Sequence, residues 1–264
     1  MPYRSCLVVP VYNHGAGAKA LIHRIAPLGL QAILVNDASD DACRAVLIEL
    51  SRSHSWVHLI EHRKNLGKGD AVLSGFREAM QRGFSHALQI DADGQHDSDD
   101  IPDFLAISQR NPESMVVGRP VFDISAPKSR RLARHITHVC VWIETLSFDI
   151  KDSMCGFRVY PLKAVAPILR DIDLGLRMAF DSEILVRLHW HGLPFISRRT
   201  RVVYPNDGHS HFRLWRDNWL ISCMHARLMV GMMLRAPSLL LRRARNRRSA
   251  DRNADSHAGT HGCR

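Results

Sequence analysis

The residues best placed to do chemistry in this chain are Asp91 and Asp93, one residue apart in Ile90-Asp91-Ala92-Asp93-Gly94-Gln95-His96. They close an apolar run, His86-Ala87-Leu88-Gln89-Ile90. Such a run ending in carboxylates reads as a buried strand that delivers them to a sheet edge, and hard divalent cations that bridge phosphate oxygens take oxygen ligands at such a place. The expectation is metal-assisted chemistry on a phosphorylated substrate. Paired acids also occur in plain turns and helix caps, so the pattern gains weight only from what accompanies it.

The first half of the chain alternates. Apolar runs at Cys6–Pro10, Ala32–Asn36, Trp56–Ile60, Ala87–Ile90 and Ser114–Gly118 predict strands, and Ala18–Pro27, Asp41–Ser51, Gly69–Arg82 and Asp99–Gln109 predict helices between them. This alternation implies an α/β fold, a single mainly parallel sheet with helices on both faces that receives ligands at the carboxyl ends of its strands. The polar candidates fall at those ends: Pro10-Val11-Tyr12-Asn13, Asn36-Asp37, Asn65-Leu66-Gly67-Lys68-Gly69 and Asp91-Ala92-Asp93. Each alone has a structural explanation, since Ser39 or Asp40 would cap a helix and Gly67 and Gly69 would serve a turn. Four coincidences at one edge favour a site.

The length of 264 residues, 45% hydrophobic and 23% charged, suits one α/β domain with its own core. The formal charge of +10 calls for an anionic partner, and half of it lies in residues 236–264, where seven Arg face two Asp. Six cysteines without a Cys-x-x-Cys pair indicate a reduced, cytoplasmic setting, and no secretory signal opens the chain.

In this order the motifs resemble glycosyltransferase family 2, most closely its dolichyl-phosphate mannose synthase-like branch, over about Ser5 to Phe212. The resemblance implies a Rossmann-like nucleotide-diphosphosugar transferase fold in which Pro10, Tyr12, Asn13 and Asp37 hold the nucleoside, with Asn13 standing where the family usually has Glu. It implies that Asp91-Ala92-Asp93-Gly94-Gln95-His96 is the metal and diphosphate motif, with Asp93 and Gln95 the most direct ligands of Mg²⁺ or Mn²⁺, and that Arg119 of Gly118-Arg119 approaches the donor. Asp152-Ser153-Met154-Cys155-Gly156-Phe157-Arg158 is similar to the family's acceptor-side segment, which places Gly156, Phe157 and Arg158 there. Phe180-Asp181-Ser182-Glu183 resembles the aromatic–acid opening of the next helix. In the loop 205–212, Pro205 replaces a phosphate-binding arginine and His211 a lysine, leaving His211 and Arg213 as the cationic candidates.

The reaction so implied is inverting transfer of a sugar from a nucleotide-diphosphate sugar to a lipid-linked acceptor, either a polyprenyl phosphate or a hydroxyl of a lipid or aromatic carrier. A phosphate is already nucleophilic; a hydroxyl needs a carboxylate to take its proton, for which Asp152 stands first and Asp181 and Glu183 are alternatives. A sugar nucleotidyltransferase would share the acids, but the Gly-rich N-terminal phosphate loop is missing. A non-catalytic nucleotide or membrane binder would leave the acids without a purpose, and no nucleic-acid reading motif is present.

Beyond Phe212 the sequence projects as a basic amphipathic helix. Leu214, Trp215, Trp219, Ile221, Leu228, Met229, Met232 and Met233 share a broad face, and Arg213, Arg216, Arg227 and Arg235 gather opposite, although Leu220, Met224 and Leu234 fall on the basic side. Arg227, Arg235 and Pro237 interrupt any membrane-spanning run. The organisation expected is a catalytic domain over 1–211, a segment over 212–241 lying peripherally on an anionic membrane at the inner face of the cell membrane, and a basic, disordered tail over 242–264. The bland alternative is a helix packed on the catalytic domain.

Overall fold

The computed structural model describes residues 2–122, 128–171, 177, 179–202 and 214–258. His211 and Arg213 lie outside the described residues. The first half alternates as the apolar runs predict: β1 (Ser5–Val11), α1 (Gly15–Ile25), β2 (Gln31–Asn36), α2 (Asp41–Ser53), β3 (Val57–Glu61), α3 (Lys68–Gln81), β4 (His86–Gln89), α4 (Ile101–Arg110) and β5 (Met115–Phe122). The second half supplies α5 (Lys128–Thr145), β6 (Arg158–Pro161), α6 (Leu162–Asp171), α7 (Phe180–Trp190), β7 (Phe195–Val202) and α8 (Leu214–Ala258).

The strands form one sheet in the order β3-β2-β1-β4-β6-β5-β7. All pairings are parallel except those of β6, which runs antiparallel between β4 and β5. The central strands read as unbroken apolar runs because both faces are covered, and Leu7, Val8 and Val9 are fully buried. One face packs on α1, α2 and α4 through Ala18, Ile22, Leu47, Leu50 and Phe104; the other packs on α3, α6 and α7 through Val72, Phe76, Val165 and Ile184. Strand order reverses at β1, which is flanked by β2 and β4, so a crevice opens outside the carboxyl ends of β1 and β4. That is where Pro10–Asn13 and Asp91–Asp93 emerge.

A single helix, α8, carries both the expected amphipathic segment and the start of the expected disordered tail, continuing through Pro237 to Ala258. It packs on α5 and α7, burying Met224 and Leu228. Several of its arginines turn inward. Arg227 donates to both Glu183 carboxylate oxygens at 2.9 and 2.8 Å, Arg235 lies over the Trp190 ring, and Arg242 and Arg243 donate to the carbonyls of His189, Trp190 and Leu146. The outward side is apolar instead: Trp219, Leu220, Val230, Met233, Leu234, Leu240 and Leu241 are exposed, and neighbouring α5 adds Ile136, Val139 and Ile143. Met229 is half-buried. Among the described residues no helix is long and apolar enough to cross a membrane.

Candidate active site

At the end of β4 the register with β1 and β6 fixes where the acids project. Gln89 pairs with Val8 on one side and Arg158 on the other, which carries Asp91 beyond the ladder to face Gly156. A Cβ on Gly156 would collide with the Asp91 carboxylate, so glycine is what lets this backbone close over the acid. Ala92 is buried, and its carbonyl sits so close to α1 that a Cβ on Gly17 would overlap it.

Lys68, in the first turn of α3, reaches across to this acid. Its Nζ donates to Asp91 Oδ2 at 2.7 Å and to Asp181 Oδ2 of α7 at 2.8 Å. The sequence placed the Gly67-Lys68-Gly69 segment at the correct edge without a role for the lysine. Burial works against charge on Asp91, but the Lys68 ammonium overcomes it and holds the carboxyl below its ordinary range. Asp93 has no such partner. Burial and the Asp91 charge raise its pKa, with the Gln95 backbone N–H at 3.0 Å offering partial relief. Burial likewise lowers the pKa of His96, whose Nδ1 is buried without a partner, as is Asp91 Oδ1.

These residues fit a hard divalent cation. Two carboxylates, one of them unneutralised and one with an orphaned buried oxygen, together with the Gln95 amide, make an oxygen-rich set suited to such an ion. Among the described residues no three His, Cys, Asp or Glu side chains converge into a closed cage. An open arrangement of one or two carboxylates completed by substrate phosphates is typical of Mg²⁺-type sites.

On the crevice side, Asn13 adopts φ 59° and is exposed, and its Oδ1 accepts from the Asp40 N–H at 2.8 Å. Its amide oxygen thus clasps the β1 loop to the α2 cap, and its Nδ2 remains to meet a ligand. Pro10 and Tyr12 are half-buried beside it. Asp37 is buried and spends its carboxylate on the loop after β3: Oδ1 accepts from the Leu66 N–H at 2.9 Å and lies 2.8 Å from His62 Nδ1, and Oδ2 accepts from the Gly67 N–H at 2.8 Å. Asp37 therefore shapes the wall of the crevice through that loop.

The 152–158 segment is likewise built from internal bonds. Asp152 takes Arg134 Nε at 2.8 Å and Nη2 at 2.6 Å, lies 3.2 Å from His138 Nε2, and accepts from the N–H groups of Met154 and Cys155. Burial would raise its pKa, but the His138 hydrogen bond and the Arg134 guanidinium hold it far below the usual carboxylate range. Arg158 is fully buried and donates to the carbonyls of Cys155, Ser153 and Asp181 and to the Tyr160 hydroxyl. Phe157 stacks on Phe104 with centroids 4.0 Å apart. Gly156, Phe157 and Arg158 thus brace the segment against Asp91 from beneath and present no side chain to a substrate. Arg119, on β5, is exposed at the sheet's carboxyl end, and Gly118 before it accepts no Cβ because Cys155 and the Phe157 carbonyl press on it.

The alternatives to Asp152 are equally engaged: Asp181 holds Lys68, and Glu183, with no exposure, is gripped by Arg187 and Arg227. Sequence reasoning missed this ring of internal pairs, whose partners lie up to 113 residues apart.

Residues 6–165 match the sequence profile of glycosyl transferase family 2. A polyprenol monophosphomannose synthase of Mycolicibacterium smegmatis is 26% identical over 185 residues, covering 68% of this chain and 67% of that one. A dolichyl-phosphate beta-glucosyltransferase of Drosophila melanogaster is 30% identical over 170 residues, 59% of this chain and 50% of that one, so the chain spans about half that relative's length. Among solved structures, a mannosyltransferase from Pyrobaculum calidifontis in complex with GDP-Man and Mn²⁺ superposes with a TM-score of 0.57 at 15% identity, covering 99% of this chain and 82% of that one. Glucosyl-3-phosphoglycerate synthase from Mycobacterium tuberculosis in complex with Mn²⁺ and UDP-Glc gives a TM-score of 0.61 at 13% identity, over 87% and 79% of the two chains. At such identities the structural likeness is one of fold.

Proposed function

Because this chain belongs to glycosyl transferase family 2, we propose that it moves a sugar from a nucleotide-diphosphate donor, with inversion, onto the phosphate of a lipid-linked acceptor. Its relatives named for polyprenol and dolichyl phosphate support the acceptor class. The observation that carries the choice of phosphate over hydroxyl is the state of the carboxylates. Among the described residues, Asp152, Asp181 and Glu183 are all bound by cationic partners, and Asp152 is held strongly ionised. A base with so low a pKa takes a proton from a hydroxyl poorly, whereas a phosphate oxygen attacks without one.

In this reading Asp93 and Gln95 hold Mg²⁺ or Mn²⁺, with Asp91 beside them. The bound cation supplies Lewis-acid neutralisation of the charge that gathers on the departing diphosphate. The chain's own residues do the positioning. Lys68 fixes Asp91 in the charged state and ties it to α7, the loop held by Asp37 shapes the nucleoside crevice with Tyr12 and Asn13, and Arg119 faces the space beyond β5. In-line attack on the anomeric carbon from the side opposite the diphosphate gives inversion in one step.

The outward apolar stripe of α8, with Ile136, Val139 and Ile143 of α5, supports a peripheral seat at a membrane, which this reading places at the inner face of the cell membrane. Because several arginines are spent on the protein, attachment rests more on apolar burial than on charge.

A donor screen with purified full-length protein, Mn²⁺ or Mg²⁺, and prenyl phosphate against prenol tests the proposal. Release of nucleoside diphosphate that depends on the phosphorylated acceptor is the expected result. Pyrophosphate release, or equal turnover with prenol, would reject it.

A further inference from the structure

The first residue beyond β3, His62, joins β2 to α3 through its ring. Its main-chain N–H donates to the Asn36 carbonyl at 2.9 Å and so extends the β2–β3 ladder by one residue, which fixes where the ring begins. The ring turns inward, with 9% of the side chain exposed, and lies between Asp37 and the first two turns of α3. Nδ1 is 2.8 Å from Asp37 Oδ1, Nε2 is 3.0 Å from Ser74 Oγ, and Asp70 Oδ2 is 3.8 Å from Nε2. Asp70 and Ser74 are four apart and share one face of the helix. Asp37 also accepts from the Leu66 and Gly67 N–H groups, so its carboxylate can only receive, and Nδ1 carries the hydrogen. Nε2 is then left for the Ser74 hydroxyl. The order Asp37–His62–Ser74 has the contacts of a nucleophilic triad, but Ser74 lies in the second turn of α3, where main-chain N–H groups are spent within the helix. A helix interior offers no free donor for an oxyanion, so the line braces rather than hydrolyses.

What it braces is the loop after β3. The Asp37 N–H donates to the Val11 carbonyl at 2.9 Å, which seats the residue beside the end of β1. Leu66 takes Oδ1 and Gly67 takes Oδ2, so both bonds hold only while the carboxyl plane keeps one orientation. The His62 ring N–H on Oδ1 supplies a third point that fixes that plane. Gly67 sits at φ 102°, a conformation that glycine permits, and the next residue is Lys68, whose Nζ reaches Asp91. One loop thus forms the crevice wall and sets the starting point of the lysine.

We infer that His62 is a positioning residue for the nucleotide donor: through Asp37 it holds the loop 62–67 in the shape that receives the nucleoside and aims Lys68 at Asp91. This rests on the nucleotide-sugar reading above and adds the residue that sets the crevice wall. A wall held in place before the ligand arrives spares binding the cost of ordering it.

Two replacements separate the two ring nitrogens. In His62→Asn the amide NH₂ stands near the place of Nδ1 and keeps a bond to Asp37; in His62→Gln it stands near Nε2 and keeps the contact with Ser74. Both empty the same buried space, so a merely structural role moves them together. The full chain and both variants are measured for affinity toward GDP, UDP, ADP, CDP and dTDP with Mn²⁺, for melting temperature, and for hydrogen exchange over residues 62–68. His62→Gln should lose about tenfold in affinity for the preferred nucleotide and exchange the Leu66 and Gly67 amides faster. His62→Asn should stay within about threefold of the wild type and keep that exchange slow. Equal affinity in all three proteins, an equal loss in both variants, or a loss in His62→Asn alone would overturn the inference and leave the donor reading intact. In the wild type the preferred nucleotide should slow exchange across 62–68, a result that needs no variant, and binding without such slowing also overturns the inference. A wild type that binds none of the nucleotides rejects the donor reading and the inference with it.

Discussion

Asp152→Asn separates a base from a brace. The carboxylate receives two bonds from Arg134, lies against His138 and accepts two backbone N–H groups, with 5% of its side chain exposed. Asparagine keeps an oxygen for the Met154 and Cys155 N–H groups but turns an NH₂ toward the donors of Arg134 and His138 and strands the guanidinium. Breaking one side of a buried ion pair costs about 3–5 kcal/mol, and the retained backbone bonds favour the lower end, about 3 kcal/mol. For a chain of this size that is a fall of about 6–12 °C in melting temperature. Because the folded-state pKa is lowered, the stabilisation is present above the unfolded value of about 4 and is lost as pH drops through the folded pKa, so wild type and variant should converge in acid. The measurement is thermal unfolding across pH together with the transfer rate well below the melt. A variant that melts like the wild type yet transfers a hundredfold more slowly would refute the reasoning and return Asp152 to proton transfer from a hydroxyl.

Three further outcomes follow from the same cluster and from α8. Asp93→Asn should remove a repulsive charge beside Asp91, leaving the metal-free melting temperature equal or higher while abolishing both turnover and the rise that Mn²⁺ produces; a Mn²⁺-induced rise equal to wild type would remove Asp93 from the cation site. Lys68→Met strands Asp91 and Asp181 together, at a cost of about 3–5 kcal/mol, and Mn²⁺ should restore more stability to it than to the wild type; a melt unchanged in the absence of metal contradicts the clamp. Trp219→Ala with Leu234→Ser should weaken co-sedimentation with vesicles by roughly tenfold or more, an effect that persists at high salt because the loss is apolar. Binding that vanishes in salt while the pair of substitutions leaves it intact would shift the attachment back to the arginines.

How much of this was legible in the sequence depends on how far each signal reaches. β1, β2, β4 and the first half of β5 announced themselves because strands buried on both faces are apolar along their length, β3 showed as a short apolar run at the sheet's edge, and the ends of those runs located Asp91, Asp93 and the crevice. β6 did not: it is four residues long and opens with Arg158, whose charge is satisfied by carbonyls of the segment before it and of α7. β7 hid behind Arg198, Arg199 and Arg201, charges that break an apolar strand pattern and are tolerated because the strand forms the sheet's edge. In α8 the arginine positions were plain but their direction was not, since only the packed structure shows Glu183 and the open carbonyls near Trp190 that draw them inward. Lys68 illustrates the same limit, as its partners Asp91 and Asp181 lie 23 and 113 residues away.

The first turn of α7 carries Asp181, which holds the lysine of the acid cluster, and two residues later Glu183, which holds Arg227 of α8. The carboxyl-terminal helix is therefore not an interchangeable module. Arg242 and Arg243 lock its later turns to the ends of α7 and α5, so a chain shortened near Ala236 loses a latch as well as a surface. Deletions made to study attachment will also change catalysis, and a graft that replaces α8 with another anchor must carry its own guanidinium for Glu183 or forgo the bonds that Arg227 gives to this buried acid.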